Sequence, residues 1–181
     1  NVYNKDATLT ETIPRGTVIR GTQGTKTYNF SVMETATYTS EGGLTACRNI
    51  EIKEGKIETL SYIFDDRNTN LKYVVPKTAD TSALTVRVQT AIDDNTGYTE
   101  SWTLATDLNS ITKTDKVYHL QEIENGEFEI YFGDNIVGKK PDNNNVVILQ
   151  YLNTKGPEAN DIGRTDKEGA RVFTFAGTTV E

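Results

Sequence analysis

The chain has 181 residues, enough for one ordinary domain or two small ones, and it can bury a core without metal or disulfide staples. Its net charge of -7 opposes nucleic acid and anionic membranes, and no basic patch beyond the Lys139-Lys140 pair offsets it. No apolar run is long enough to span a bilayer and no secretory signal is visible, so neither nucleic acid nor membrane insertion is expected.

Threonine is abundant, Tyr (9) outnumbers Phe (6) and Pro (4) is scarce, a mixture that favours half-exposed strands over helices. The predicted fold is mostly β: antiparallel hairpins and meanders in two adjoining small β units, with very little helix. Cys47 is the single cysteine, so it makes no internal bridge, and it is read as a free buried thiol.

In chain order, residues 1–13 read as an entering strand or arm. Pro14-Arg15-Gly16 marks a turn, 17–20 a short strand, and Gly21 with Gly24 a second reversal. Residues 26–33 alternate clearly, with Tyr28, Phe30 and Val32 on one face and Thr27, Asn29 and Ser31 on the other. Asn29-Phe30-Ser31 fits a glycosylation sequon but lies mid-strand without a secretory signal, so it is discounted. Residues 36–40 predict a short strand and Gly42-Gly43 a loop. Alternation on both sides of Glu54-Gly55 predicts a hairpin.

Asp66, Asn68 and Asn70 fall at alternate positions, as in a calcium loop. Leu71 then stands where such a loop needs glycine and Lys77 where it needs a bidentate glutamate, so a hydrated loop is the reading. Thr78 to Ser82 reads as a polar connector. The expected organisation is therefore 1–80 as an N-terminal β unit, 81–163 as a C-terminal β-meander unit, and 164–181 as the start of a further segment or linker.

Leu84, Val86 and Val88 predict the next strand, Asp93 to Gly97 a turn, and 99–104 a return strand with Trp102 and Leu104 facing the core. Asp107 to Ile111 suits a single helical turn capped by Asp107. His119, the lone histidine, is read as a strand residue because its spacing offers no partners for metal or triad chemistry. Asn125-Gly126 predicts a two-residue hairpin turn, which makes 117–152 a three-stranded meander.

The most informative stretch is Glu127 to Leu152. Phe128, Ile130 and Phe132 alternate with Glu127, Glu129 and Tyr131, which are expected on the wet face; 146–151 is almost uniformly apolar and suits a strand covered on both faces. Between them, Gly133-Asp134-Asn135-Ile136-Val137-Gly138-Lys139 has the glycine and lysine spacing of a phosphate-cradling loop. Lys140 stands where that loop needs Ser or Thr, and Pro141 with Asn143-Asn144-Asn145 opposes the helix that must follow. The loop is read instead as a turn in which Gly133 and Gly138 supply positive-φ positions. Arg171 to Phe175 reads as a final strand whose partner lies beyond the chain end. No catalytic, cofactor or metal constellation is selected by any spacing, and the chain is not expected to be an enzyme.

The succession Val117-Tyr118-His119-Leu120-Gln121-Glu122, Glu129-Ile130-Tyr131-Phe132-Gly133-Asp134, Gly138-Lys139-Lys140-Pro141, Val147 to Leu152, Gly156 and Ala159-Asn160 resembles the baseplate J-like family of contractile phage tails, and within it the wedge subunits of T4-like phages. Ile13-Pro14-Arg15-Gly16-Thr17 and Tyr28 to Phe30 are similar to the family's preceding segment. The family usually has glycine where Asn135 stands, and asparagine tolerates the left-handed backbone such a turn needs. Glycine commonly follows the Ala159-Asn160 pair, where this chain has Asp161.

What the resemblance implies is a non-enzymatic virion protein of the tail baseplate, made in the host cytoplasm. It would associate with itself, as a dimer within a larger ring, and with other baseplate wedge proteins, in a ring linked to sheath contraction. Gly133, Asp134, Gly138, Lys139 and Pro141 are then a structural turn or an assembly contact, the rigid corner being preferred. The alternative is a tail-associated receptor- or carbohydrate-binding β module using an aromatic cluster from Tyr3, Tyr38, Tyr62 and Tyr98.

Overall fold

A computed structural model describes residues 2–4, 12–23, 26–37, 39–41, 44–47, 49–68, 72–156, 164–165, 171–175 and 178–180. It is mostly β. Its strands in chain order are β1 (Val2–Asn4), β2 (Thr12–Ile13), β3 (Val18–Gln23), β4 (Lys26–Val32), β5 (Ala36–Thr37), β6 (Thr39–Glu41), β7 (Leu44–Cys47), β8 (Ile52–Glu54) and β9 (Lys56–Ile63). There follow β10 (Tyr73–Val75), β11 (Ala79–Gln89), β12 (Glu100–Leu104), β13 (Val117–Glu122), β14 (Phe128–Phe132), β15 (Val146–Asn153), β16 (Arg164–Thr165), β17 (Arg171–Phe175) and β18 (Thr178–Val180). A 3-10 turn lies at Glu124–Gly126. No helix among the described residues is long and apolar enough to cross a membrane.

Backbone packing divides the chain into a unit of residues 1–57 with 153–181 and a unit of residues 58–152. The expected boundary near Asp80 falls inside β11, because 78–82 is not a connector: Ala79 is buried and starts an eleven-residue strand. Nor is 164–181 a separate segment. Strand β17 pairs with β18 and also with β3, so its partners lie within the chain.

The first unit holds a sheet in the order β6-β7-β1-β18-β17-β3-β4-β8, with β16 beside β17, and a small β2-β5 pair. The alternation read from residues 26–33 places Tyr28, Phe30 and Val32 in a core with Ile13 and Ile19. Ser31, on the opposite face, is also fully buried and donates from Oγ to the Gly55 carbonyl at 2.9 Å. The Gly55 N–H in turn reaches the Asn29 carbonyl at 2.8 Å. Gly55 therefore prolongs the β4-β8 ladder, and the hairpin expected at Glu54-Gly55 does not form. Strand β8 pairs with β4, whereas β9 joins the other sheet.

The second unit is built on a seven-stranded, nearly closed barrel in the order β10-β14-β13-β12-β11-β15-β9. Its end strands meet through side chains: the Tyr62 hydroxyl donates to the Val74 carbonyl at 3.2 Å, and the Tyr62 and Tyr73 rings meet edge to face at 5.4 Å. Val86, Trp102, Ile130, Val147 and Leu149 fill the interior. Burial of each such side chain contributes about 1.5–3 kcal/mol. Leu104 does not share the face of Trp102 in burial; it is the last residue of β12 and is 45% exposed.

Two turn readings also change. Asn125 and Gly126 both take positive φ, 67° and 74°, but the Ile123 N–H bonds the Glu127 carbonyl across a loop of three residues, 124–126. Asp107 accepts the Asn109 N–H at its carboxylate, at 3.0 Å, in a turn rather than a helix.

Candidate functional site

Strands β13 and β14 are paired in register, His119 opposite Tyr131, but β15 is not the third strand of their meander. It lies between β11 and β9, so residues 133–145 must carry the chain across one end of the barrel. A stretch rich in Gly, Asn and Pro suits this, because the path needs sharp turns and side chains that bond to backbone.

Each residue of the crossing has a distinct task. Gly133 is required for close approach rather than for positive φ, since a Cβ there would overlap the carbonyl of Gly138. Gly138 does take positive φ, 81°, and so does Asn135, at 69°. The Asp134 carboxylate accepts the N–H groups of Ile136 at 2.8 Å and Val137 at 2.9 Å. Those two bonds, Val137 foremost, hold its carboxyl below the ordinary aspartate value. Asn135 Oδ1 accepts the Lys140 N–H at 2.9 Å, and Pro141 is buried.

The crossing is also fastened to the loops beside it. The Gly138 N–H bonds the Thr112 carbonyl, the Lys139 N–H the Asp115 carbonyl, and the Asn144 N–H the Phe64 carbonyl. Asn143 makes a two-way pair with Asp66: its Oδ1 accepts the Asp66 N–H at 2.8 Å and its Nδ2 donates to Asp66 Oδ1 at 2.9 Å. Asn144 takes φ 70°, and Asn145 Nδ2 donates to the Thr90 carbonyl. The basic pair is engaged too, Lys140 with Asp66 Oδ2 at 2.9 Å and Lys139 with Glu100 Oε2 at 3.9 Å. No helix follows Lys139, so the amides that a phosphate loop would aim at its ligand are absent here. What the crossing leaves outside is apolar: Ile136 is 75% exposed and Val137 42%.

Asp66, bonded by Lys140 and then Asn143, is likewise held below the ordinary value of 3.8. A carboxylate with a depressed folded pKa stabilises the fold above its unfolded value, and that contribution disappears as pH falls through the folded value. Acidification below the ordinary aspartate range should therefore loosen the crossing. In urea titrations repeated at falling pH, the midpoint of the Asp66→Ala/Asp134→Ala double variant is expected to fall less steeply than that of the parent.

Glu129, expected on the wet face of β14, is 6% exposed. It is kept there by Lys72 Nζ at 3.2 Å and the Tyr131 hydroxyl at 2.9 Å, both on Oε2. The bond to Glu129 is the main cause that raises the Tyr131 phenol above its ordinary value. Sequence alternation missed this residue because its main partner stands 57 positions away. Burial pushes the neighbouring Tyr73 phenol up to about 12.

Of the tyrosines read as a binding cluster, Tyr62 is spent on the barrel seam and Tyr98 is 62% exposed; the Tyr3 and Tyr38 side chains lie outside the described residues, as does that of Cys47. Asp65 turns to Arg67, at 3.0 Å, and Asn70 lies outside the described residues. No group of three or more His, Cys, Asp or Glu among the described residues is placed to hold a metal ion. Neither a protein-family model nor a curated protein matches the chain.

Proposed function

We propose that the protein is a structural subunit of a contractile phage tail baseplate, a wedge component of the virion that associates with itself and with other wedge proteins rather than an enzyme. The resemblance of Val117 to Glu122, Glu129 to Asp134, Gly138 to Pro141, Val147 to Leu152, Gly156 and Ala159-Asn160 to the baseplate J-like family supports the reading. The observation that carries it further is the apolar tip of the crossing, Ile136 and Val137, held out to solvent by a backbone bonded on both sides. Exposed apolar side chains on a fixed loop lose little conformational freedom on docking, which favours a subunit contact. Rigid corner and assembly contact are then two aspects of one loop.

The lysines are poor probes of this contact, because charge reversal at Lys139 or Lys140 would set like charges against Glu100 and Asp66 within the fold. Ile136→Ser/Val137→Ser removes the apolar tip without adding charge beside Asp134. Both side chains are exposed, so stability should stay within roughly 0.5 kcal/mol of the parent. Sedimentation is expected to show concentration-dependent self-association for the parent and a monomer for the variant. A parent that stays monomeric at every concentration, alone and with other wedge proteins, would remove the assembly role.

A further inference from the structure

We propose that the pocket beside Glu129 binds a single sugar ring, a neutral polyol with one apolar face. The cavity has a volume of about 300 Å3 and its lining includes Phe64, Lys72, Tyr73, Glu129, Tyr131 and Lys140, all within the unit of residues 58–152. That size lies at the lower end of pockets that hold small molecules, roughly 300–1,000 Å3.

Glu129 marks it as a site. Both of its donors end on Oε2, so Oε1 takes no donor among the described residues although the side chain is only 8% exposed and lines the cavity. That oxygen is open to the cavity, where a ligand hydroxyl can take the place of water as its donor. Lys72 and Lys140 each spend one N–H on a carboxylate, and an ammonium group has three.

The charges then select the ligand class. Lys72 is paired with Glu129 and Lys140 with Asp66, so the charges balance: a cation drawn to Glu129 is opposed by two ammonium groups, and an anion drawn to those by two carboxylates. A neutral ligand with neighbouring hydroxyls meets neither penalty: one hydroxyl donates to Glu129 Oε1, another accepts from Lys72 or Lys140, and each bond is charge-assisted. Phe64 and Tyr73, stacked with their planes 2° apart, form an apolar wall at the same cavity. A pyranose has the matching surface, hydroxyls around its rim and C–H groups on one face.

The proposal stands apart from the assembly role, since none of its argument uses Ile136 or Val137. Its test is an amide chemical-shift titration of the whole chain with the methyl glycosides of glucose, galactose, mannose and N-acetylglucosamine, with acetate and methylammonium as charged controls. At millimolar concentration, at least one glycoside should shift the amides of Lys72, Tyr73, Glu129, Tyr131 and Lys140 saturably, and neither ion should. Glu129→Gln is expected to weaken binding about tenfold, as loss of one charge-assisted bond implies. Lys72→Gln, which keeps a donor within reach of Glu129 but loses the ammonium charge, should do the same and leave the fold intact, so it carries the test even where Glu129→Gln unfolds. The proposal is overturned if no glycoside shifts those amides saturably, if Lys72→Gln binds as the parent does, or if either ion binds in preference.

Discussion

Replacing Gly133 by alanine is expected to destabilise the protein by about 3 kcal/mol or more, the upper range for overpacking. The added methyl would overlap the carbonyls of Gly138 and Val137, which are backbone atoms rather than yielding side-chain ends. They cannot retreat without breaking the bond between the Asn135 N–H and the Gly138 carbonyl, or the bond from the Gly138 N–H to Thr112. Two other glycines give graded comparisons. Gly138→Ala meets Val117 Cγ2 at 2.9 Å and also strains a left-handed position, for an expected cost of about 2 kcal/mol. Gly97→Ala is left-handed too but has no neighbour within 4 Å, and about 1 kcal/mol is expected. Trp102, the only tryptophan, lies in the same unit, so urea unfolding followed by its fluorescence reads the effect there directly. Equal losses for the three variants would mean that backbone conformation, and not the close approach at Gly133, governs the crossing.

Trp102→Ala is expected to cost about 3–5 kcal/mol. Trp102 is 4% exposed and stands edge to face with Phe132 at 5.0 Å; Phe132 contacts Tyr73 at 5.5 Å and Phe64 at 6.3 Å in the same manner. Removing the indole would empty one end of a connected aromatic cluster whose middle member, Phe132, leads straight into Gly133. Trp102→Phe should cost much less, at most about 2 kcal/mol, because the indole N–H has no hydrogen-bond partner among the described residues. Circular dichroism in urea, which does not depend on the removed fluorophore, distinguishes the two variants. A phenylalanine variant as damaged as the alanine one would assign the loss to a polar contact of the indole instead of its volume.

The sequence showed faces more readily than neighbours. Alternation in β4, β11 and β14 identified Tyr28, Val86 and Ile130 as inward, since the period of a strand is local and needs no knowledge of the fold. Strand pairing is not local. The apolar run of β15 looks the same beside β14 as it does between β11 and β9, and only the closing of the barrel decides. Gly55 misled for a similar reason: at a strand end it signals a turn, yet here it extends a ladder by bonding Asn29 and Ser31.

The crossing itself was partly legible. Its glycines, its proline and its asparagines announced turns, and Asn135 takes a left-handed position that asparagine tolerates. Its fastenings were not legible, because Asn143 finds Asp66 and Asn145 finds Thr90 across 77 and 55 residues. Glu129 escaped notice on the same ground. A carboxylate placed in alternation reads as solvated until Lys72 and Tyr131 are seen to enclose it.

These features make the crossing a preformed loop, with Asp134, Asn135 and Asn143 holding the backbone and Ile136 and Val137, the side chains proposed to meet another subunit, left exposed. Amide hydrogen exchange on dilute protein tests this most directly. The N–H groups of Gly138, Lys139 and Asn144, each bonded to a neighbouring loop, should exchange orders of magnitude more slowly than in an unstructured peptide, with no partner present. Exchange of those three amides at the free-peptide rate, slowing only when partners are added, would show that the loop takes its shape on assembly and would contradict the account.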